Sequence, residues 1–244
     1  IELGIAWCNG YTPSEVAALS LFSHGPALFL LHYFYNAPAT SSLISLTITI
    51  LSTTVPVALI PPPASKRRAA ASAEKEAPEA DCGVQVLTTL LAACIHSIVL
   101  ASSYATFLPT TLVTYFDNLP SVVAAHTSSF ISLLPLTLLS GNAARSFILA
   151  PSTLALSTTK PEFDAVNSDL GEHVKYNLCG YSARMKEVLR RTAVLAGLGG
   201  VNTFALVRGV GGVENWGAGV YAGVWAAAVV VSGVVLGVVG DVEV

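Results

Sequence analysis

Long stretches of this chain contain no charged side chain. Residues 16–65 lack Asp, Glu, Lys and Arg, and so do residues 82–116, 118–144, 192–207 and 215–240. The helices and strands of a soluble domain need polar outer faces, whereas about 20 apolar residues can cross the hydrocarbon core of a bilayer as a helix. The sequence therefore predicts an all-α fold, a polytopic integral membrane helix bundle.

The composition agrees with this fold class. Charged residues make up 11% of the chain and hydrophobic residues 53%, while an ordinary globular domain carries about 25% charged residues. The net charge of −3, with no basic tract interleaved with aromatics, predicts no nucleic-acid partner. The start at Ile1 rather than Met is consistent with missing upstream residues or with a removed targeting segment.

The charge-free stretches divide into about six transmembrane helices of one domain that covers residues 1–244. These spans lie near residues 16–35, 42–60, 84–116, 121–147, 192–213 and 217–240. The third span is long for one crossing, so we expect it to tilt or to break near Pro109.

The basic residues set the predicted orientation, because cytoplasmic loops are enriched in Lys and Arg. With six spans, one side carries eleven of the twelve basic residues: Lys66, Arg67, Arg68, Lys75, Arg145, Lys160, Lys175, Arg184, Lys186, Arg190 and Arg191. This side should be the cytoplasm, which places both termini there as well. The modest span lengths favour a thin eukaryotic endomembrane such as the endoplasmic reticulum.

Two loops face the predicted cytoplasm. Residues 64–80 are rich in Ala, Glu, Lys and Pro and have no apolar face, which predicts a flexible, solvated linker. Within the cytoplasmic loop 151–191, apolar residues recur at helical spacing behind Pro161, which predicts a short amphipathic helix. Docking of this helix against the protein's own spans is favoured over docking of a partner.

Glycines mark the predicted packing faces. Gly219 and Gly223 form one small-xxx-small pair in the last span, and Gly233 and Gly237 form another that we expect on the same face. The preceding span adds Gly197 and Gly200. We expect these two spans to pack as a hairpin, and the alternative is that this face docks another subunit.

The candidate functional polar groups are four histidines at membrane depth and one carboxylate at the turn after the third span: His24, His32, His96, His126 and Asp117. Ionisable groups inside a membrane are functional-site candidates by default. However, the sequence predicts no carboxylate inside a span and no acid paired with a membrane histidine. We therefore favour neutral histidines bonded to hydroxyls or carbonyls, and we predict no catalytic residue, no cofactor and no metal site.

Prolines interrupt three of the predicted spans. His24-Gly25-Pro26, Pro56 and Pro135 are candidate kinks, and transporters use broken helices to bind ions. Kinks that serve only helix packing explain the same residues.

Basic residues at the cytoplasmic ends of spans are candidate lipid-headgroup contacts. Arg145 ends the fourth span, and Arg190 with Arg191 precede the fifth. Arginines in such positions most often anchor a helix end at the headgroups.

Three functions remain open on the sequence. The favoured hypothesis is a non-catalytic, multi-pass subunit or accessory factor of a larger membrane complex, with membrane lipids and other membrane subunits as partners. The alternatives are a small transporter or channel built on kinked spans one, two and four, and a lipid-modifying enzyme that uses His24, His32 or His126 with Asp117.

Overall fold

The computed structural model describes residues 2–62, 82–120, 130–159, 169–171, 173, 176 and 180–242. The linker predicted at 64–80, most of the amphipathic helix predicted behind Pro161, and His126 lie outside these ranges. In the described ranges the regular structure is entirely helical, which confirms the all-α class.

In chain order, the helices of the described ranges are α1 (Glu2–Asn9), α2 (Pro13–Phe34), α3 (Ala39–Leu59), α4 (Cys82–Ala105), α5 (Leu108–Tyr115), α6 (Phe130–Ile148), α7 (Pro151–Leu154), α8 (Ala183–Arg208) and α9 (Asn215–Val242). Four of them, α2, α3, α4 and α9, are long and apolar enough to cross a membrane. The segment 84–116 is not one helix, because α4 ends at Ala105 and α5 begins at Leu108.

Local sequence explains where α2 begins. Thr12 and Glu15 form a capping box, in which each side chain bonds the backbone N–H of the other residue, and Pro13 takes the first helical position. The helix continues through Pro26, whose carbonyl oxygen accepts a hydrogen bond from the Tyr221 hydroxyl at 2.8 Å. Therefore Pro26 does not end α2 but lies at a contact with α9.

An aromatic cluster fills the centre of the bundle. Phe22 lies edge-on to His96 and to Trp225, and Phe34 stacks on Tyr104. These residues belong to α2, α4 and α9 and are all buried. Aromatic pairs of this kind add about 0.5–1.5 kcal/mol beyond the area they bury, so the cluster fixes the relative positions of the three helices.

The hairpin of α8 and α9 uses only part of the predicted glycine face. A Cβ on Gly233 would meet the Thr192 side chain, and one on Gly237 would lie 2.8 Å from the Met185 sulfur, so both glycines allow close contact with α8. Gly219 and Gly223 have nothing within 4 Å of such a Cβ and are exposed. The two pairs on α9 therefore face different surroundings.

The glycines predicted on the preceding span also differ from each other. A Cβ on Gly200 would lie 3.6 Å from Ala226 of α9, whereas one on Gly197 would meet nothing within 4 Å. The sequence pattern did not identify Gly141 of α6, where the backbones of α6 and α4 come closer still. A Cβ on Gly141 would lie 2.6 Å from the backbone nitrogen of Ala93 in α4.

The turn after α5 and the turn before α9 are joined at one end of the bundle. Phe116 and Val213 form an isolated antiparallel bridge, and the Asp117 N–H donates to the Gly212 carbonyl at 2.8 Å. Arg208 donates to the Val213 carbonyl at 3.0 Å from the end of α8. These bonds hold α5 beside the hairpin of α8 and α9.

Candidate functional site

A buried carboxylate lies beside a histidine of α2. Glu2 of α1 is 8% exposed, and its carboxylate lies 3.2 Å from Nε2 of His24. The same carboxylate accepts hydrogen bonds from the Ser20 hydroxyl at 3.0 Å and from the Asn202 amide of α8. Ser20 is in turn 2.8 Å from the Thr53 hydroxyl of α3. We call these five residues the Glu2 cluster.

The Glu2 cluster overturns the expectation that no acid pairs with a histidine of a span. The expectation was wrong because α1 folds back along α2, which brings a residue near the start of the chain to the middle of that helix. A signal for this arrangement exists in the sequence. Glu2, Ala6 and Asn9 have the spacing of one helical face, and Glu2 and Ala6 are buried while Asn9 bonds Arg190.

The arrangement of the Glu2 cluster suits the exchange of a proton. A carboxylate and an imidazole 3.2 Å apart can share one proton, and the ionised and neutral forms of such a pair both have a hydrogen-bond partner. Donors from Ser20 and Asn202 stabilise the carboxylate in its ionised form. Among the described residues, no group of three or more His, Cys, Asp or Glu side chains is placed to hold a metal ion.

A second charged cluster lies at the other end of α1. Arg191 of α8 is fully buried, and its guanidinium donates to Glu15 at 2.8 Å and to Glu187 at 3.0 Å. It also donates to the Phe147 carbonyl at 2.8 Å and to the Ser152 hydroxyl at 2.9 Å. We call Glu15, Ser152, Glu187, Arg190 and Arg191 the Arg191 cluster.

Aromatic rings enclose the buried guanidinium. Its central carbon lies 5.2 Å from the centre of the Tyr11 ring and 5.5 Å from that of Phe147. These distances allow cation–π attraction, which is stronger where water is excluded. The Arg191 cluster therefore joins the α1–α2 junction, the end of α6, α7 and the start of α8.

Arg190 extends the Arg191 cluster to α1. It donates to Glu187 at 2.6 and 2.8 Å and to the Asn9 side chain at 2.5 Å. Burial alone would raise the pKa of Glu187, but the hydrogen bonds from Arg190 and Arg191 outweigh burial and lower it. The ionised carboxylate is thus the form that the cluster favours.

The three arginines considered as headgroup contacts have different surroundings. Arg191 is occupied by protein groups and is 0% exposed, while the Arg190 side chain is 39% exposed. Arg145 donates to the Thr88 hydroxyl of α4 at 3.2 Å. Of the three, Arg191 is therefore held inside the protein.

The other polar candidates lie apart from the Glu2 cluster. His96 is buried, with Nδ1 2.8 Å from the Ala92 carbonyl and 3.2 Å from the Ser232 hydroxyl. His32 is exposed and bonds the Ala37 carbonyl at the α2–α3 turn. Asp117 lies in the turn that bonds Gly212. The structure thus brings His24 to Glu2 and leaves Asp117 in a surface turn.

The features above define a class: a protein whose regular structure is helical throughout the described ranges, with four helices long and apolar enough to cross a membrane, and with a buried ion pair between Arg191 and Glu15. Residues 81–213 match the family described as Bouquet formation protein 3 C-terminal domain. The match covers more than half of the chain, so the chain belongs to this family. No curated protein and no solved structure matches it.

Proposed function

We propose that this chain is a non-catalytic, multi-pass membrane subunit that serves an assembly for bouquet formation in the nuclear envelope and endoplasmic reticulum. The observation that carries this proposal is the family match over residues 81–213, whose name refers to bouquet formation. About six spans form the bundle, with α6 and α8 crossing beside the four helices that have the length and apolarity to do so.

The use of charge inside the bundle supports a structural role. Arg191 and Glu15, which are among the most buried charged groups in the described residues, bind each other. A buried ion pair that bonds four elements together serves to fix one arrangement of helices, whereas a catalytic group needs access to a substrate.

One helix offers a surface for a partner. Among the four long apolar helices, α3 is by far the least buried. Ile44 and Leu51, seven residues apart on one face, are 60% and 53% exposed. We propose that a transmembrane helix of another subunit packs on this face of α3.

Purification in mild detergent from the native membrane tests the proposal. We expect a stoichiometric membrane partner with the wild-type chain, and loss of that partner with the double substitution Ile44→Trp and Leu51→Trp. The matched control is Val230→Trp with Val234→Trp, which alters exposed residues of α9 and should leave the partner bound. A monomer or homo-oligomer in every sample would overturn the subunit proposal.

A cellular assay tests the link to bouquet formation. Removal of the protein should reduce the fraction of meiotic cells whose chromosome ends gather at the nuclear envelope. Re-expression of the wild-type chain should restore that fraction, and the α3 double variant should not. Normal gathering without the protein would contradict the proposed process, whatever the outcome of the purification.

The Glu2 cluster favours a second candidate function, proton-coupled transport. Its acid–histidine pair lies at mid-helix beside Gly25 and Pro26, and acid–histidine pairs in membranes form proton relays. Vesicles that contain the purified protein and a pH-sensitive dye would then show proton flux that Glu2→Gln or His24→Gln removes and His32→Gln retains. Wild-type vesicles as proton-tight as empty ones would exclude this candidate.

A further inference from the structure

Helices α4 and α6 pack antiparallel and in close contact. The Ser97 hydroxyl of α4 bonds the Thr137 hydroxyl of α6, and one turn further along α6 the backbone of Gly141 lies against that of Ala93. A step of four residues forward along α6 therefore corresponds to a step of four residues back along α4. The next turn of α6 accordingly places Arg145 beside the first turns of α4.

A threonine holds the Arg145 side chain in this position. The Arg145 Nε–H donates to the Thr88 hydroxyl oxygen at 3.2 Å. Thr88 is buried, and its own hydroxyl donates to the Val84 carbonyl at 2.7 Å. Because that bond fixes the direction of the hydroxyl hydrogen, the oxygen is left to accept from the guanidinium.

Most of the donors of Arg145 are unused. A guanidinium carries five N–H donors, and within the described ranges only Thr88 accepts from this one. By contrast, Arg184 donates to two backbone carbonyls, and Arg190 and Arg191 bind carboxylates. Arg145 is partly buried, and a charge that is partly removed from water favours a bound counter-charge.

The position of Arg145 suits a ligand from the membrane surface. Arg145 lies in the last turn of α6, which ends at Ile148. Thr88 is six residues after the start of α4 at Cys82, about 9 Å along the helix axis. A long arginine side chain near a helix end reaches toward the lipid headgroups. In the predicted orientation this end faces the cytoplasmic leaflet, which contains anionic lipids.

We propose that Arg145, positioned by Thr88, binds the phosphate of an anionic phospholipid. The proposal rests on the membrane location in the proposed function. Since Nε is bound to Thr88, the two terminal amino groups of Arg145 remain, and their parallel N–H donors match two phosphate oxygens. A zwitterionic headgroup carries a cation beside its phosphate, so it neutralises the guanidinium less well than an anionic one does.

Titration of the detergent-purified chain with dioctanoyl phosphatidic acid tests the proposal. The readout is the midpoint of thermal unfolding, which rises when a ligand binds the folded state alone. We expect the wild-type chain to bind this lipid and Arg145→Gln to weaken the affinity about tenfold, because charge-assisted hydrogen bonds to the phosphate are lost. Equal affinities for wild type and Arg145→Gln would overturn the proposal.

Thr88→Val tests the positioning of the arginine, and it also serves if Arg145→Gln fails to fold. It should weaken the affinity less than Arg145→Gln does, and Thr88→Ser should restore it. The matched control is Thr89→Val, because the Thr89 hydroxyl bonds the Gln85 carbonyl within α4 rather than Arg145. A lower midpoint without lipid but an unchanged affinity would show that Thr88 serves the fold alone, and would overturn its role in binding.

Two further ligands separate the sources of phosphate. Inorganic phosphate and dioctanoyl phosphatidylcholine should both bind the wild-type chain more weakly than phosphatidic acid does. Inorganic phosphate that binds as tightly as phosphatidic acid would assign the site to a soluble anion and overturn the lipid assignment. Phosphatidylcholine that binds equally tightly would overturn the preference for an anionic headgroup.

The titration distinguishes failure of this site from failure of the proposed function. It uses the chain without a partner, so loss of the lipid site alone would leave the subunit proposal standing. A wild-type chain that stays monodisperse in buffer without detergent would instead count against the membrane location, on which both proposals rest.

Discussion

Replacing Arg191 with methionine removes the charge at the centre of the Arg191 cluster while keeping an unbranched apolar side chain. The change deletes the donors to Glu15, Glu187, Phe147 and Ser152. Glu187 keeps its bonds to Arg190, so Glu15 suffers most. Glu15 would remain buried as a carboxylate without the arginine that neutralises it.

The expected loss of folding free energy follows from leaving Glu15 without its charged partner. Removing one partner of a buried ion pair costs about 3–5 kcal/mol. Glu15 retains hydrogen bonds from the Thr12 N–H at 2.6 Å and from the Ser152 hydroxyl at 3.3 Å, which favours the lower end, about 3 kcal/mol. For a chain of this size, that loss lowers the midpoint of thermal unfolding by roughly 6–12 °C.

The assay is thermal denaturation of the purified protein in detergent, read as the fraction that stays monodisperse after heating. Arg190→Met is the control, because its side chain is 39% exposed and exposed pairs contribute about 0.2–1 kcal/mol. Adding Glu15→Gln to Arg191→Met should recover part of the lost stability, since it removes the unpaired carboxylate. Equal losses for Arg191→Met and Arg190→Met, with no recovery in the double variant, would refute the reasoning.

Three further predictions concern close approach, backbone conformation and pH. Gly141→Ala should destabilise the protein by about 1–3 kcal/mol through overpacking, because the new Cβ would lie 2.6 Å from the Ala93 nitrogen; thermal denaturation measures the loss. Gly212→Ala should cost about 1–3 kcal/mol in the same assay, since Gly212 has φ of +85° and a Cβ there would lie 2.8 Å from that of Asp117. The pKa of Glu187 is lowered below its ordinary 4.5 by the two arginines of the cluster, despite burial. The stability that ionised Glu187 contributes is therefore present above pH 4.5 and is lost as the pH drops from there through the lower folded-state pKa. Unfolding midpoints measured from pH 7 to well below pH 4.5 would test this.

Each of these predictions has a matched control. Gly25→Ala and Gly211→Ala introduce a methyl group where nothing lies within 4 Å, so both should stay within about 1 kcal/mol of wild type. If Gly141→Ala and Gly25→Ala have the same midpoint of thermal unfolding, α4 and α6 do not approach as closely as described. If Gly212→Ala and Gly211→Ala have the same midpoint of thermal unfolding, the fold does not require the positive φ of Gly212. Glu187→Gln should weaken the dependence on acidic pH, and an unchanged dependence would contradict that prediction.

The sequence predicted the helical class because the signal is local. Each charge-free stretch reports directly on the surroundings of its own residues, and the helices α2, α3 and α9 follow those stretches closely. The start of α2 at Pro13 rather than near residue 16 reflects the capping box of Thr12 and Glu15. A hydropathy pattern cannot detect that motif, although the residue types of a cap are visible in the sequence.

The two charged clusters could not be predicted in this way, because their partners are distant along the chain. Glu2 and Asn202 meet only after α1 folds back along α2. In the sequence, Arg191 stands in a run of basic residues before an apolar stretch, which is typical of an arginine that anchors a helix at the lipid headgroups. Its burial becomes evident only in the structure, where it pairs with Glu15. Each cluster is a product of tertiary packing, so the burial of Glu2, Glu15 and Arg191 cannot be seen in the sequence.

The Arg191 cluster includes contacts with residues outside the segment that the family matches, and this affects how that segment can be studied as a fragment. Residues 81–213 include Arg191 and Glu187, but Glu15, Asn9 and Tyr11 lie before the matched segment. A fragment cut at those limits would keep the arginine and lose one of its two carboxylates, one of its two aromatic rings and the helix α9 that packs on α8. The stretch matched by the family therefore lacks several partners of the Arg191 cluster, and experiments on this protein should retain the residues on both sides of it.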